Sequence, residues 1–574
     1  VWLTVHWADL EPGPKRDRLL VLIVYITALS STNHLMGVLV APMVVLYILL
    51  TDWRTLLRPR LLVAMAAAVV VGLSVNLFLL VRSPHFPAIN EGEPTTWSAF
   101  QAVLNRDQYG KPSIFMRQAD FISQLQNYVQ YFSWQFAGDC TRGFNPGCGW
   151  LGRITASLFA VLGLGGLLRL WSTDRRSALG ATALLATFTV ALVFYLNFKY
   201  GYSIHPDQRN LIREVRERDY FFIVSFAMWG VLVAAGLGTV MSGIVNFLRD
   251  RATPKLRWLM ASPVLALALI PLLFNRATAS RAGEYMARDL AVDLLQSVAP
   301  YGILITAGDN DTFPLWYAQE VEGVRRDVTL VNLSLANTDW HLRQIRRREV
   351  EEFDPSESID LWKPQPGEPQ ARLTDTLSAD TTVSPAVPPR PTWPAFDLTE
   401  EQLDALPEIS ATPPSGGVSY GDVDIRFGFT QLEKADLAIA LLIKQNLGRR
   451  PIYFSLSAGN YPDQTLGLSP YLVTEGLVRR LNPAPVIPGD SIVLAPGFGY
   501  VNIPKTTELM WNAYHWRTAA KERPGGWFDP PSAPILSLYS VVYGLMGVTL
   551  LEQGDTTQAM RADSVARAVM RNVR

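Results

Sequence analysis

Long apolar runs fill the first half of the chain and are rare in the second. Five of them carry little or no charge and approach the roughly 20 residues that a helix needs to cross a bilayer: 61–81, 151–171, 178–198, 221–248 and 258–275. Two shorter runs, 19–33 and 36–50, precede them. The pattern predicts about seven crossings within a polytopic α-helical membrane region over residues 1–275.

The two short runs meet at a polar joint, SSTNHLMG, which contains Asn33 and His34. Polar groups at membrane depth are expensive and usually functional. A hydrogen-bonded helix break explains the same residues equally well, with the joint facing protein or water. The sequence leaves both interpretations open.

The second half alternates strand-like and helix-like segments. Residues 302–307, 312–322 and 327–334 predict strand, helix and strand, one βαβ unit with a parallel pair. A proline-rich stretch over 354–420 predicts a linker or insertion, and a helix at 430–447 and a strand at 451–456 resume the fold. The predicted organisation is therefore the following: an α/β domain over 276–353 and 421–536, the linker between them, and a helical hairpin over 537–574.

Charge narrows the function classes only slightly. The 574 residues carry 51 basic and 51 acidic side chains, so nothing global indicates a nucleic-acid partner. No glycine-rich phosphate loop, Ser/His/Asp set or zinc-spaced Cys/His cluster occurs in the sequence. We expect no metal and no cofactor.

The distribution of basic residues predicts the topology, because cytoplasmic loops are enriched in Lys and Arg. Basic groups flank the first hairpin and recur at 173–177 and 249–257. This places the loop 82–150, the stretch 209–219 and everything after 275 outside the cytoplasm. Cys140 and Cys148 then share one loop on the oxidising side, where a disulfide is expected.

The stretch RNLIREVRERDYFF, residues 209–222, is densely charged between two apolar runs. As a surface helix it would be self-neutralised by the i,i+4 pairs Arg213–Glu217 and Glu214–Arg218. Alternatively, its arginines form a clamp for an anionic lipid head group. Because the cluster lies on the side where the topology rule does not predict basic residues, we favour the clamp.

Two further motifs carry carboxylates. The motif GDNDTFP contains Asp309, Asn310 and Asp311. The carboxylates of Asp309 and Asp311 could form a metal-binding acidic pair, but a turn with Asp311 as helix N-cap is the favoured alternative. In the outer loop, Glu91, Glu93 and Asp107 occur with Trp97. Such a set suits a sugar ring, although a plain surface loop is the favoured interpretation.

Several segments together resemble one known family: STNHLMG, EVRERDYFF, ILITAGDNDTFPLWYAQEVEGVRRDVTLVNLSLANTDW, RRPIYFSLS and SPYLVTEGLVRRLNP. They are similar to a bacterial membrane family, long of unknown function, within the GT-C glycosyltransferases, which includes an animal protein O-mannosyltransferase. The resemblance implies transfer of a mannose-like sugar from a polyprenyl-phosphate donor to an extracytoplasmic acceptor such as a protein hydroxyl. It also implies a catalytic acidic residue in a first outer loop.

This sequence has no counterpart of that first outer loop, and the apolar start at Val1 suggests an N-terminally truncated chain. We therefore expect no catalytic residue within these 574 residues. Under the resemblance, the donor-phosphate candidates are Arg213, Arg216 and Arg218, with Asp219 orienting a guanidinium. The expected location is the inner membrane, in contact with membrane lipids. The alternative function is a membrane-anchored protein that binds glycans or envelope partners without catalysis.

Overall fold

The computed structural model describes residues 1–108, 113–142, 146–205, 207–208, 210–363, 390–495, 497–523, 528–529 and 532–573. The chain forms two compact units. Val1–Val81 and Tyr109–Ser280 make up the first, here called the membrane unit. Arg82–Gln108 and Arg281–Arg574 make up the second, the sheet unit. Residues 82–108, which the sequence analysis assigned to the membrane region, thus pack with the sheet unit.

Helices dominate the described part of the membrane unit. They are α1 Trp2–Asp9, α2 Pro14–Asn33, α3 Ala41–Asp52, α4 Pro59–Leu73, α5 Leu77–Arg82, α7 Phe121–Thr141, α8 Gly149–Thr173, α9 Arg175–Ala186, α10 Leu192–Leu196, α11 Ile223–Phe247, α12 Pro254–Ala261, α13 Ile270–Phe274 and α14 Arg276–Ala279, with α6 lying in the other unit. Short 3₁₀ and π turns join several of them into longer rods.

Seven helical rods among the described residues are long and apolar enough to cross a membrane. Six lie in the membrane unit, although the second of them extends past its boundary at Val81: Leu35–Leu57, Pro59–His85, Gly149–Thr173, Arg175–Leu196, Asp219–Phe247 and Pro254–Phe274. These agree with the predicted runs, and the protein is a multi-pass membrane protein. The first predicted run, 19–33, lies in α2, which starts with the charged sequence PKRDR.

Close helix packing in the membrane unit depends on small residues. A Cβ atom on Gly166 of α8 would lie 1.9 Å from the carbonyl oxygen of Leu232 in α11. One on Gly236 of α11 would lie 2.0 Å from the carbonyl oxygen of Leu162 in α8. The two backbones therefore touch where both side chains are absent, as is typical of helix contacts in membranes.

The sheet unit combines eleven strands with further helices in the described residues. The helices are α6 Trp97–Asn105, α15 Met286–Gln296, α16 Asp309–Glu320, α17 Asp339–Arg347, α18 Glu400–Asp404, α19 Lys434–Asn446, α20 Ile503–Glu508, α21 Trp516–Ala519, α22 Ala533–Glu552 and α23 Thr556–Met570. The strands are β1 Ile303–Thr306, β2 Thr329–Asn332, β3 Ile409–Ala411, β4 Gly417–Tyr420, β5 Val423–Arg426, β6 Gln431–Glu433, β7 Ile452–Ser455, β8 Leu472–Glu475, β9 Val478–Leu481, β10 Ile492–Ala495 and β11 Gly499–Asn502.

Seven strands form one mixed sheet in the order β10-β11-β8-β9-β7-β1-β2. The predicted parallel pair is confirmed, because β1 pairs with β2 in register from Ile303 opposite Thr329. β1 also pairs in parallel with β7. The hairpin β8–β9 extends the sheet antiparallel to β7, and the sequence analysis did not predict it.

The sheet is buried on both faces. Successive side chains of a strand point to opposite faces, so each strand contributes to two cores. Leu304 and Tyr453 pack into one apolar core with helices α15, α16, α22 and α23. Their neighbours Ile303, Ile305 and Phe454 pack into the other core with α17 and α19. A core on each face accounts for the nearly continuous apolar sequence of the central strands.

The predicted C-terminal hairpin is present as α22 and α23. Helix α22 is the seventh rod that length and composition would allow to span a membrane. Half of its apolar window is nevertheless buried, and Leu536, Tyr539 and Met546 lie in the core of the sheet unit. We assign it to that core.

Part of the predicted linker 354–420 is folded. Residues 364–389 lie outside the described part of the chain. Beyond them, α18 forms, β3 pairs with β6, and β4 pairs with β5. Residues 400–420 therefore belong to ordered structure, which their proline content concealed.

Candidate functional site

The arginine-rich stretch before α11 is a loop. Over 207–208 and 210–218 the structure contains turns, bends and a single bridge from Tyr200 to Arg213. The expectation of a surface helix is therefore wrong for these residues; Arg209 lies outside the described residues. The cause is tertiary, because the chain folds back on residues 199–205 and 207–208, and these contacts override local helix propensity.

Arg213 organises this loop from its centre. Its guanidinium donates hydrogen bonds to five backbone carbonyl groups, those of Gly201, Tyr202, Ile204, His205 and Gln208. Backbone carbonyls that a loop leaves without partners need such a donor. Arg213 therefore holds the loop and has little donor capacity left for a ligand.

Arg218 is also occupied. Its Nε donates to Glu214 at 3.0 Å, and its Nη1 donates to the hydroxyl of Tyr220 at 3.2 Å. The predicted Glu214–Arg218 pair is present, although the backbone between the two residues is not helical. The other carboxylate oxygen of Glu214 accepts from the backbone N–H of Lys199 at 2.9 Å.

Glu217 pairs with helix α7 instead of with Arg213. The hydroxyl of Tyr131 donates to its carboxylate at 2.8 Å, and Ser203 contributes a further hydrogen bond. Burial raises the pKa of Glu217 above its ordinary value. The predicted pair Arg213–Glu217 is absent because both partners face other groups.

Asp219 orients a guanidinium, as expected, but that of a residue outside the cluster. Arg142, at the end of α7, donates to Asp219 at 2.8 Å and lies 4.2 Å above the ring of Trp134. No local pattern predicts Arg142 as the partner of Asp219, because 76 residues lie between the two positions. Arg142 lies within the loop that the Cys140–Cys148 disulfide closes.

Arg216 differs from its neighbours. It is exposed, and its guanidinium lies 5.5 Å from the ring centre of Tyr220. Among the described residues it has no hydrogen-bond or ion-pair partner. The described part of the loop thus presents one unpaired cation on a frame fixed by Arg213, Arg218 and Asp219, three residues before the span Asp219–Phe247.

The polar joint lies next to the end of this loop. Helix α2 ends at Asn33, and His34 caps the following 3₁₀ turn, with its Nδ1 accepting from the N–H of Met36 at 3.2 Å. Both side chains are exposed, and the His34 ring packs edge-on to Phe221. The structure therefore brings together two motifs that the sequence analysis treated separately.

The two cysteines are disulfide-bonded, with their Cα atoms 5.1 Å apart. Cys140 lies in α7, which runs from Phe121 to Thr141 with a kink at Ala137. The bond ties the end of α7 to the start of α8.

In the sheet unit, Asp311 has a structural role. Its two carboxylate oxygens accept from the backbone N–H groups of Ala307 and Gly308 at 2.8 and 3.0 Å, and Ser457 donates a third hydrogen bond. The helix begins at Asp309, so Asp311 is its third residue and caps it from there, with Gly308 as N-cap. Asp309 and Asn310 are exposed.

The remainder of this motif block is held by buried polar pairs. Arg325 and Asp327 form a bidentate pair at 2.8 and 3.0 Å, and each side chain is only 1% exposed. Burial lowers the pKa of His341 to about 3, and its neutral ring accepts from the N–H of Asn332. Within the described residues, no three His, Cys, Asp or Glu side chains come together as a metal site requires.

Two family domains match the chain. Residues 1–57 match the domain described as the Protein O-mannosyl-transferase TMEM260 N-terminal domain, and residues 287–363 match TMEM260-associated domain 2. The second match contains the block GDNDTFP to NTDW. The chain is also similar to the mouse (Mus musculus) Protein O-mannosyl-transferase TMEM260, at 23% identity over 381 residues.

That alignment covers 64% of this chain and 48% of the mouse protein, so the chain spans about half the length of this curated relative. No solved structure matches it significantly. These similarities relate the protein to a protein O-mannosyl-transferase, which is a glycosyltransferase. The predicted resemblance to a protein O-mannosyltransferase is confirmed to that extent.

Proposed function

We propose that this protein is a membrane glycosyltransferase that transfers a sugar from a polyprenyl-phosphate donor to an extracytoplasmic acceptor hydroxyl. The observation that carries the proposal is the unpaired guanidinium of Arg216 beside a membrane span, in a chain similar to a protein O-mannosyl-transferase. A lipid-linked sugar phosphate carries its charge at the membrane surface. The Arg216 guanidinium, close to the end of a membrane span, could therefore donate hydrogen bonds to the phosphate of the lipid-linked sugar.

Arginine suits this role because its planar donor fork matches phosphate oxygens in two-point contact. Arg213, Arg218 and Asp219 belong to the proposed site as the groups that hold the loop. Their side chains are engaged with carbonyls, Glu214 and Arg142. The loop is therefore preorganised, and the cost of ordering it on donor binding is reduced.

The proposal includes a GT-C-type arrangement in a bacterial inner membrane, with the loop and the sheet unit on the extracytoplasmic side. Its support is the distribution of basic residues and the disulfide, since disulfides persist in oxidising compartments. A membrane-impermeant thiol reagent should label Cys140 and Cys148 from outside, and only after reduction. Labelling from the cytoplasmic side alone would reverse the topology.

Transfer itself is tested with the full-length protein in membranes and a radiolabelled polyprenyl-phosphate mannose. We expect label to move from the lipid to a hydroxyl-bearing acceptor, and Arg216→Ala to reduce the rate about 10- to 100-fold, the effect of losing a charge-assisted hydrogen bond. Arg153→Ala is the matched control, because Arg153 is exposed near the predicted outer end of α8. If the parent protein binds donor without moving the label, it is a binding protein.

A further inference from the structure

The sheet unit contains a cavity of about 320 Å³. It lies between the segment 86–93, helix α17 and the residues that follow α17 up to Glu351. Its volume is at the lower end of the range of small-molecule sites. None of the residues discussed for the donor site lines it.

One wall of this cavity is the segment 86–93, which hydrogen bonds from α17 hold in place. Gln344 of α17 donates from its Nε2 to the carbonyl of Ala88 at 2.7 Å, and its Oε1 accepts from the N–H of Asn90 at 3.3 Å. This clamp holds the segment that carries Glu93. Glu93 adopts a left-handed backbone conformation, with φ 40°. Non-glycine residues rarely adopt this conformation, and those that do are often found at functional sites, where the surrounding structure fixes the backbone.

Glu93 presents half of its carboxylate to no partner. It is 6% exposed, and its Oε1 accepts from Arg347, whose guanidinium lies 4.3 Å above the ring of Phe86. Its Oε2 is buried without a hydrogen-bond partner in the described structure. The indole Nε1 of Trp340, also in the lining, is buried and equally unpartnered among the described residues. One acceptor and one donor are thus left unused at the same cavity.

The charges of the lining largely cancel. Arg347 pairs with Glu93, Arg348 with Glu320 at 2.8 Å, and Arg326 with Glu351 at 2.8 Å. Glu349 adds one further carboxylate. A phosphate or an acidic peptide would meet arginines that are already neutralised and a small excess of negative charge. A neutral ligand is favoured, and it must both donate and accept hydrogen bonds.

We propose that this cavity binds a neutral saccharide unit. Sugar hydroxyls donate to the free oxygen of Glu93 and accept from Trp340, while the C–H faces of the ring contact the aromatic carbons of Phe86 and Trp340. The site uses Glu93, one of the outer-loop carboxylates singled out in the sequence, but its aromatic partner is Trp340. Trp97, the aromatic residue expected there, is exposed at the surface.

The test uses the full-length protein without lipid donor, titrated with methyl α-D-mannopyranoside and methyl β-D-glucopyranoside. Saturation-transfer NMR reports bound sugar, and tryptophan fluorescence reports Trp340. We expect saturable binding in the millimolar range, weakened about tenfold or more by Glu93→Gln, which replaces the free acceptor by an amide. Trp340→Phe should weaken binding too and abolish the fluorescence change.

Glu91→Gln and Trp97→Phe are the matched controls, since both residues are exposed on the same segment, and both variants should bind as the parent does. Unfolding curves establish that each variant is folded. Failure of both sugars to bind would overturn the proposal, as would unchanged binding in folded Glu93→Gln and Trp340→Phe. Displacement of sugar by inorganic phosphate would show an anion site instead. None of these results depends on Arg216 or on transfer.

Discussion

The loop before α11 and the motif block over 302–340 are both rich in charged residues, yet they differ in what those charges do. In the motif block, Asp311, Arg325 and Asp327 are buried and satisfied by the fold itself. In the loop, most charges are satisfied as well, but Arg216 remains exposed and unpaired among the described residues. The more specific sequence motif is thus the more structural one.

The difference teaches that a dense or distinctive charge pattern does not by itself identify a binding site. The two regions differ in whether a charged side chain remains without a hydrogen-bond or ion-pair partner in the described part of the folded protein. Substitutions in the block should therefore reduce stability, and substitutions at Arg216 should reduce ligand binding without affecting stability. The following predictions test that division.

The largest effect is expected for Arg325→Ala. The variant leaves Asp327 as a buried charge without its partner, which typically costs about 3–5 kcal/mol of unfolding free energy. Denaturant unfolding of the sheet unit within the intact protein measures the change. Arg326→Ala is the neighbouring control: Arg326 is 43% exposed in its pair with Glu351, so it should cost at most about 1 kcal/mol. Equal effects would contradict the division.

A smaller loss is expected for Asp311→Ala. Two backbone N–H groups and Ser457 lose their acceptor, and each buried unsatisfied group costs about 1–3 kcal/mol, part of which water recovers. We expect about 2 kcal/mol in thermal unfolding, and less than about 0.5 kcal/mol for the exposed Asp309→Ala. A divalent cation that raises the melting temperature of the parent but not of Asp311→Ala would instead support the metal site.

The smallest effect concerns pH. The buried carboxylate of Asp293 accepts from His515 at 2.7 Å and raises the pKa of that imidazole above its ordinary value. The stabilisation is therefore present below about pH 6.5 while Asp293 stays ionised, and it is lost as pH rises through the raised pKa of His515. His515 is partly exposed, so the effect should stay below about 1 kcal/mol. Melting temperatures of the parent and His515→Gln should converge with rising pH; a constant difference would argue against it.

Local patterns predicted much of the fold. The long apolar runs predicted most of the membrane spans, and the alternation of strand-like and helix-like segments predicted the βαβ unit. The hairpin β8–β9 was missed because buried charged side chains, Glu475 and Arg480, interrupt its apolar pattern. Residues 82–108 were misplaced because their contacts are distant in sequence: Asn90 and Glu93 contact Gln344 and Arg347, 254 positions later.

At the candidate site, sequence identified the arginines but not their partners. The i,i+4 rule predicted a pair of Arg213 with Glu217, yet Arg213 binds backbone carbonyls and Glu217 binds Tyr131. Arg142 was missed because only the folded chain brings it to Asp219. Whether a given arginine is free depends on such distant contacts, so Arg216 could not be separated from Arg213 and Arg218 beforehand.

The central claim is that Arg216 contacts the phosphate of the donor lipid. Its most direct test is equilibrium binding of a polyprenyl-phosphate sugar to the full-length protein in detergent. The account predicts that Arg216→Ala weakens binding about 10- to 100-fold, that Arg216→Lys recovers part of this because lysine lacks the two-point fork, and that Arg153→Ala binds as the parent does. Unchanged affinity in both Arg216 variants would contradict the claim.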